Sequence, residues 1–144
     1  MPKLSRRMKW AVFLLLALLF YLFVLRTDPK VSSLNDVIAQ RGSSALQHYP
    51  YPFHVVRVEG DTAYLSTPRS PDVPVVSVIG TIEPKLAGAS DNDPDFMAAQ
   101  ARMAQVQGEA RALVLSQPGI KHVEWELDRS WLLDHGVMLP PSQP

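Results

Sequence analysis

Sixteen consecutive residues, Trp10–Leu25 (WAVFLLLALLFYLFVL), carry no charge, no proline and no glycine. A run that is apolar on every side cannot serve as the outer helix of a globular core, which needs one polar face. At ~1.5 Å per residue it reaches about 24 Å as a helix, a little less than the ~30 Å hydrocarbon layer of a bilayer. Lys9 and Arg26 flank it, and their long stems can lie in the apolar zone while the charges reach the headgroups. Its seven Leu, three Phe and two Val together favour insertion by about 5 kcal/mol. Trp10 and Tyr21 add rings of the kind that settle near membrane interfaces. A transmembrane anchor over residues 10–26 is therefore expected.

The rival reading is a cleaved signal peptide, whose apolar stretch of ~7–15 residues leads into a small-residue cleavage site. Here the run continues Phe23-Val24-Leu25-Arg26-Thr27-Asp28-Pro29, without an Ala-x-Ala pattern. An uncleaved signal anchor fits better. The chain has no cysteine, which excludes a lipid-modified cysteine, disulfides, thiolate catalysis and zinc–cysteine sites.

Charge sets the expected orientation. Lys3, Arg6, Arg7 and Lys9 precede the run with no acid among them, whereas Arg26 and Lys30 follow it around Asp28. Basic residues stay on the cytoplasmic side, so residues 1–9 should be inside and the rest outside. In a bacterium this makes a single-pass inner-membrane protein with a periplasmic C-terminal domain. From Arg26 onward ten basic residues face fourteen acidic ones, a balance of −4. That argues against nucleic acid as a partner, because phosphate contacts need clustered Lys and Arg. It also makes docking on anionic lipid unattractive. The partners expected are the bilayer, through residues 10–26, and a protein of the envelope.

The roughly 115 residues beyond the anchor suffice for one domain. Residues 27–52 read as a juxtamembrane segment with a short amphipathic helix, Leu34–Gln40, and a Pro/Tyr linker, His48-Tyr49-Pro50-Tyr51-Pro52. Residues 53–139 read as an α+β domain and residues 140–144 as a proline-rich tail. Phe53–Val58 and Thr62–Ser66 are β-branched and aromatic runs around the turn Glu59-Gly60-Asp61, a hairpin pattern. Val75–Ile82 (VVSVIGTI) predicts a third, central strand, with Gly80 marking a bulge or a close backbone contact. Asp93, Pro94 and Asp95 supply the cap, first position and dipole partner of a helix. Its apolar stripe is Phe96, Ala99, Met103, Val106, Ala110 and Leu113, widened by Val114. Pro118-Gly119 stops it, and Ile120–Asp128 (IKHVEWELD) alternates as a fourth strand. The expected order is α-β-β-β-α-β, with the helix packed on a mainly antiparallel sheet behind the membrane helix.

Chemistry-bearing clusters are few. His122, Glu124 and Glu126 share one face of the last strand, a His-x-Glu-x-Glu row that invites a divalent metal. A solvated strand face produces the same alternation, and three ligands on one flat strand diverge rather than enclose an ion. Asp91 and Asp93, with Asn92 and Asp95, invite calcium, but the spacing lacks the glycine and distal glutamate of an EF-hand loop. No metal and no cofactor are expected. Catalytic signatures (Gly-x-Ser-x-Gly, His-Glu-x-x-His, phosphate and dinucleotide loops) are absent from the sequence, so no enzymatic role is read from it. Tyr49, Tyr51 and Trp131 are the residues that could touch a partner, but the strip reads better as a linker whose tyrosines cover the domain edge.

Ala112–Leu127 (ALVLSQPGIKHVEWEL) is similar to the helix and "PGV-x-x-V" strand that close BON domains and heavy-metal-associated domains, and Val76–Ile82 (VSVIGTI) resembles the "V-x-L-x-G-x-V" strand of a BON domain. The BON resemblance implies an envelope-associated α+β module that interacts with lipid or protein. The Met-x-Cys-x-x-Cys motif of the heavy-metal family is absent, so metal transport is not implied. The expected function is that of a membrane-anchored envelope protein with an outer protein-binding domain. A small-ligand or divalent-metal sensor at the membrane surface is the alternative.

Overall fold

The computed structural model describes residue 3, residues 5–26 and residues 28–141, with Arg26 described by its backbone only. Thr27, the Arg26 side chain and Ser142-Gln143-Pro144 of the expected tail lie outside the described residues. The chain folds as α+β, with an apolar N-terminal helix and a three-stranded mixed sheet.

Helix α1 (Arg6–Arg26) begins one turn before the apolar run, so its 21 residues extend about 31 Å. It is long and apolar enough to cross a membrane, with a mean hydropathy of 2.4 over an 18-residue window and none of that window buried against the rest of the chain. Helix α2 (Pro29–Arg41) follows almost at once. Asp28 caps it by accepting from Lys30 N at 2.9 Å, and Pro29 takes the first turn, where no intrahelical amide is needed. It is longer than the expected Leu34–Gln40 because Asp28-Pro29 starts this helix as well as following α1. Leu34 and Ile38 bury one face of α2 against the domain. A short helix α3 (Ser44–Gln47) is held to the long helix below through Ser43, whose N–H and Oγ donate to Glu109 at 2.6 and 2.7 Å.

Strands β1 (Val55–Glu59) and β2 (Thr62–Thr67) form the expected hairpin. Gly60 takes φ +60° and Asp61 does not, the II′ pattern that matches strand twist across a two-residue loop. The register slips between Val55 and Arg57, so β1 carries a bulge. At that point Asn35 of α2 reads both backbone groups of Val55, accepting from its N–H at 2.7 Å and donating to its C=O at 3.2 Å.

Val75–Ile82 is not a strand. It is helix α4, with Val78, Ile79 and Ile82 buried and Val75 partly so. Positions 75, 78, 79 and 82 have the i, i+3, i+4, i+7 spacing of one helix face, and that spacing outweighs the β-branched composition. The stretch likened to a BON strand is therefore helical here. Gly80 does mark a close backbone contact: a Cβ there would lie 3.2 Å from Ala87 Cα, in the turn after the short 3₁₀ segment Pro84–Leu86.

Helix α5 (Pro94–Leu115) is capped as the sequence predicts, Asp93 Oδ1 accepting from Asp95 N at 2.8 Å and Phe96 N at 3.4 Å. Phe96, Ala99, Met103, Val106, Ala110 and Val114 are its buried stripe. Gly108 faces open space and is exposed, so it makes no close contact with the sheet. Gly108→Ala is expected to stabilise the fold by about 0.5–1 kcal/mol, measured as a higher urea midpoint at unchanged slope.

Strand β3 (His122–Leu127) pairs with β2 in parallel, Ala63 opposite Val123 and Leu65 opposite Trp125. The sheet order is β1-β2-β3. The sheet is thus mixed and three-stranded rather than mainly antiparallel and four-stranded, because α4 and α5 form a crossover that returns the chain in the direction of β2. Helix α5 lies across β2 and β3, and α2 lies against both β1 and α5. Residues 28–52 share this single core: Leu34, Ile38, Leu46 and Tyr51 are buried with Phe53, Leu65 and Phe96. Helix α6 (Arg129–Asp134) closes the domain. Pro140, at the start of the expected tail, is tied back through its carbonyl, which accepts from Arg129 at 2.9 Å.

Candidate functional site

The residues singled out from sequence fall into separate places. The aromatic strip enters the core rather than standing on the surface. Tyr51 is 0% exposed, edge-on to Phe53 at 4.8 Å and to Trp131 at 5.0 Å between ring centroids. Its hydroxyl donates to Asp128 Oδ2 at 3.0 Å, while Asp128 Oδ1 accepts from Trp131 N at 3.1 Å and caps α6. One carboxylate thus joins the strip to the C-terminal helix. Burial, followed by the charge of Asp128 and its hydrogen bond, pushes the Tyr51 phenol far up, with a Ser66 hydrogen bond working the other way. Tyr51 offers no surface to a partner. Trp131 is half-buried, with one ring contact to Tyr51 and a stacked one to the exposed His135 at 4.0 Å.

Tyr49 stacks on Phe53 at 5.9 Å and lines a cleft of about 350 Å³ with Ser44, His48, Arg102 and Gln105. Its hydroxyl is buried and, among the described residues, has no hydrogen-bond partner. Arg102 at this cleft donates to both oxygens of Glu83 at 2.8 Å. Burial, with the Glu83 charge adding and Arg102 partly opposing, pushes the Tyr49 phenol up to about 12. The neutral phenol is the form the fold holds. Its contribution is therefore complete below the ordinary tyrosine value of ~10 and is lost as pH rises through about 12. Tyr49→Phe is expected to flatten part of the alkaline fall in urea midpoint over that window, with Tyr51 supplying the remainder.

The polar row of β3 lies on the sheet face opposite the α5 stripe, since Ala63, Leu65, Val123 and Trp125 alternate with Tyr64, Glu124 and Glu126. Arg57 reaches across the strands to pair with Glu126, and with Glu59 at 3.0 Å on its own strand. Its guanidinium sits 3.8 Å from the Tyr64 ring centroid, a cation–π contact. His122 and Glu124 are exposed, and neither has an ion-pair partner among the described residues. Asp93 is occupied as the α5 cap, and Asp91 accepts from Ser90 Oγ at 3.4 Å. Among the described residues no group of three or more His, Asp or Glu is placed to hold a metal ion. The structure does not bring His122, Glu124 and Glu126 together as a ligand set, since Arg57 takes Glu126.

The anchor residues stand apart from the domain. Trp10 and Tyr21 are both exposed on α1, Lys9 is likewise exposed, and Trp10 packs edge-on to Phe13 at 6.2 Å. Sequence reasoning missed two structural linchpins, Asn35 on the β1 edge and Glu109 under Ser43; neither lies in a motif, and each acts on a residue distant in the chain. No family model matches this chain, and no curated protein or solved structure matches it.

Proposed function

We propose that the chain is a single-pass membrane-anchored envelope protein whose C-terminal α+β domain binds another protein on the far side of the membrane. The observation that carries this reading is α1, apolar over Trp10–Leu25 and not buried by the domain, while the domain has a core of its own. Arg6, Arg7 and Lys9 at the start of α1 support a cytoplasmic N-terminus, and hence a periplasmic domain if the source is bacterial. The test is photocrosslinking of the full chain in native membranes, with the reactive group placed in turn at Glu124, Met97 and Leu133, all exposed. An adduct heavier than the monomer is expected from at least one position; monomer alone from all three overturns the reading. Reporter fusions after residue 141 should be active only on the far side of the membrane.

A small-ligand reading draws support from the buried Tyr49 hydroxyl, unpartnered among the described residues, beside the Arg102 cleft. A thermal shift produced by carboxylate-bearing compounds and lost in Tyr49→Phe would favour it, and no shift across such a panel would remove it.

A further inference from the structure

The two edges of the sheet are finished differently. On β1 a bulge interrupts the ladder, and Asn35 occupies the N–H and C=O of Val55 as a neighbouring strand would. Among the described residues strand β3 has no such guard. The N–H groups of His122 and Asp128 both donate into β2, to Asp61 O at 3.2 Å and Thr67 O at 2.8 Å. The period of two along a strand then directs Glu124 and Glu126 into β2 as well, and turns the backbone groups of Val123, Trp125 and Leu127 outward. Among the described residues none of those three N–H groups has a partner outside the ladder, and β3 has no second strand beside it. The strand contains no proline and its register with β2 is unbroken from His122 to Leu127. Val123 is buried, whereas Glu124 is exposed and Trp125, Glu126 and Leu127 are half-buried.

We infer that the outer edge of β3 accepts an extended segment of a partner protein as a fourth strand, and that this segment carries basic residues at alternate positions. The inference rests on the protein-binding reading above and names the surface and the chemistry. Charge selects the occupant. Glu59 and Glu126 share one Arg57, and Glu124 has no ion-pair partner among the described residues, so the open face of the sheet carries a surplus of negative charge. A second copy of this chain is a poor match. Antiparallel pairing centred on Trp125 sets Glu124 opposite Glu126 in both halves, and pairing centred on Glu124 sets that residue against itself. Like charges directly opposite destabilise a ladder. A strand with Lys or Arg at i and i+2 faces the two glutamates instead, while its intervening residues lie on the helix side with Trp125 and Leu127. Main-chain bonds then supply affinity and the alternate side chains supply selectivity.

The probe is a peptide of three Lys-Val repeats flanked by glycine, added to the purified full chain in lipid nanodiscs. Binding is expected to slow hydrogen exchange of the Trp125 and Leu127 amides by at least about tenfold. In an antiparallel register, with lysines opposite Glu124 and Glu126, the valine N–H groups point into β3 and the lysine N–H groups point away. N-methylation of the valines is therefore expected to weaken binding about tenfold or more, and N-methylation of the lysines to leave it nearly unchanged. Glu124→Lys, a surface change that leaves the fold intact, should weaken this peptide and improve binding of the Glu-Val counterpart. Equal loss from both N-methylated peptides, protection away from β3, or self-association of the nanodisc protein through the same amides overturns the inference. If the peptides fail while crosslinks from Met97 or Leu133 persist in membranes, the edge assignment falls and the protein-binding reading stands. If no position crosslinks, that reading falls with it.

Discussion

Arginine at two central positions of α1, Leu15→Arg with Leu18→Arg, is expected to move the protein from the membrane pellet to the soluble or aggregated fraction on alkaline extraction. Each exchange removes a leucine worth about 0.5 kcal/mol of insertion and adds an arginine costing about 2.5, so the pair shifts the balance by about 6 kcal/mol. That is comparable to the whole favourable sum for Trp10–Leu25, about 5 kcal/mol on the same scale, so the sign of insertion reverses. Both leucines are more than half exposed in the fold, so the domain loses no packing when they change. Leu15→Ala with Leu18→Ala is the control and should remain in the pellet. A double-arginine variant that stays membrane-embedded would contradict the anchor. A wild-type chain that matures to a shorter soluble form would favour the signal peptide.

Tyr51→Ala is expected to cost the domain about 3–5 kcal/mol, a large share of the ~5–15 kcal/mol that holds a typical domain together. The ring is wholly enclosed between Phe53 and Trp131, so deleting it opens a cavity at the joint of the strip, the sheet and α6. Tyr51→Phe keeps the ring and removes only the bond to Asp128, for an expected loss of about 1–2 kcal/mol. Urea unfolding of the full chain in micelles measures both. Equal losses for the two variants would mean that the hydroxyl, not the packing, is the joint. Small losses for both would mean that the strip is an appendage, as its Pro/Tyr composition suggests when read alone.

The Asp-Pro pairs show how legibility depends on neighbours. Asp93-Pro94 was readable as a helix start because an apolar stripe with helical spacing follows it. Asp28-Pro29 does the same work for α2, but there the proline also follows a long apolar helix and so reads as that helix's end. Val75–Ile82 departs from its strand pattern for a different reason. Its β-branched residues satisfy strand propensity, and eight residues are too few for periodicity to overrule composition without knowing which side is covered. The His122-Glu124-Glu126 row was correctly placed on one strand face, yet its fate depended on Arg57, a residue 69 positions from Glu126.

Local chemistry by itself determined the apolar helix α1, the cap and buried stripe of α5, the β1–β2 hairpin and the alternation along β3, because each is written in spacings within a turn or two of chain. Only the tertiary structure decided that β3 runs parallel to β2, that Tyr51 is enclosed rather than displayed, and that Asn35 closes one sheet edge while the other stays open. Those outcomes depend on side chains and backbone groups separated by many residues along the chain, and a hydrogen bond between Asn35 and Val55 or between Tyr51 and Asp128 leaves no periodic trace in either segment.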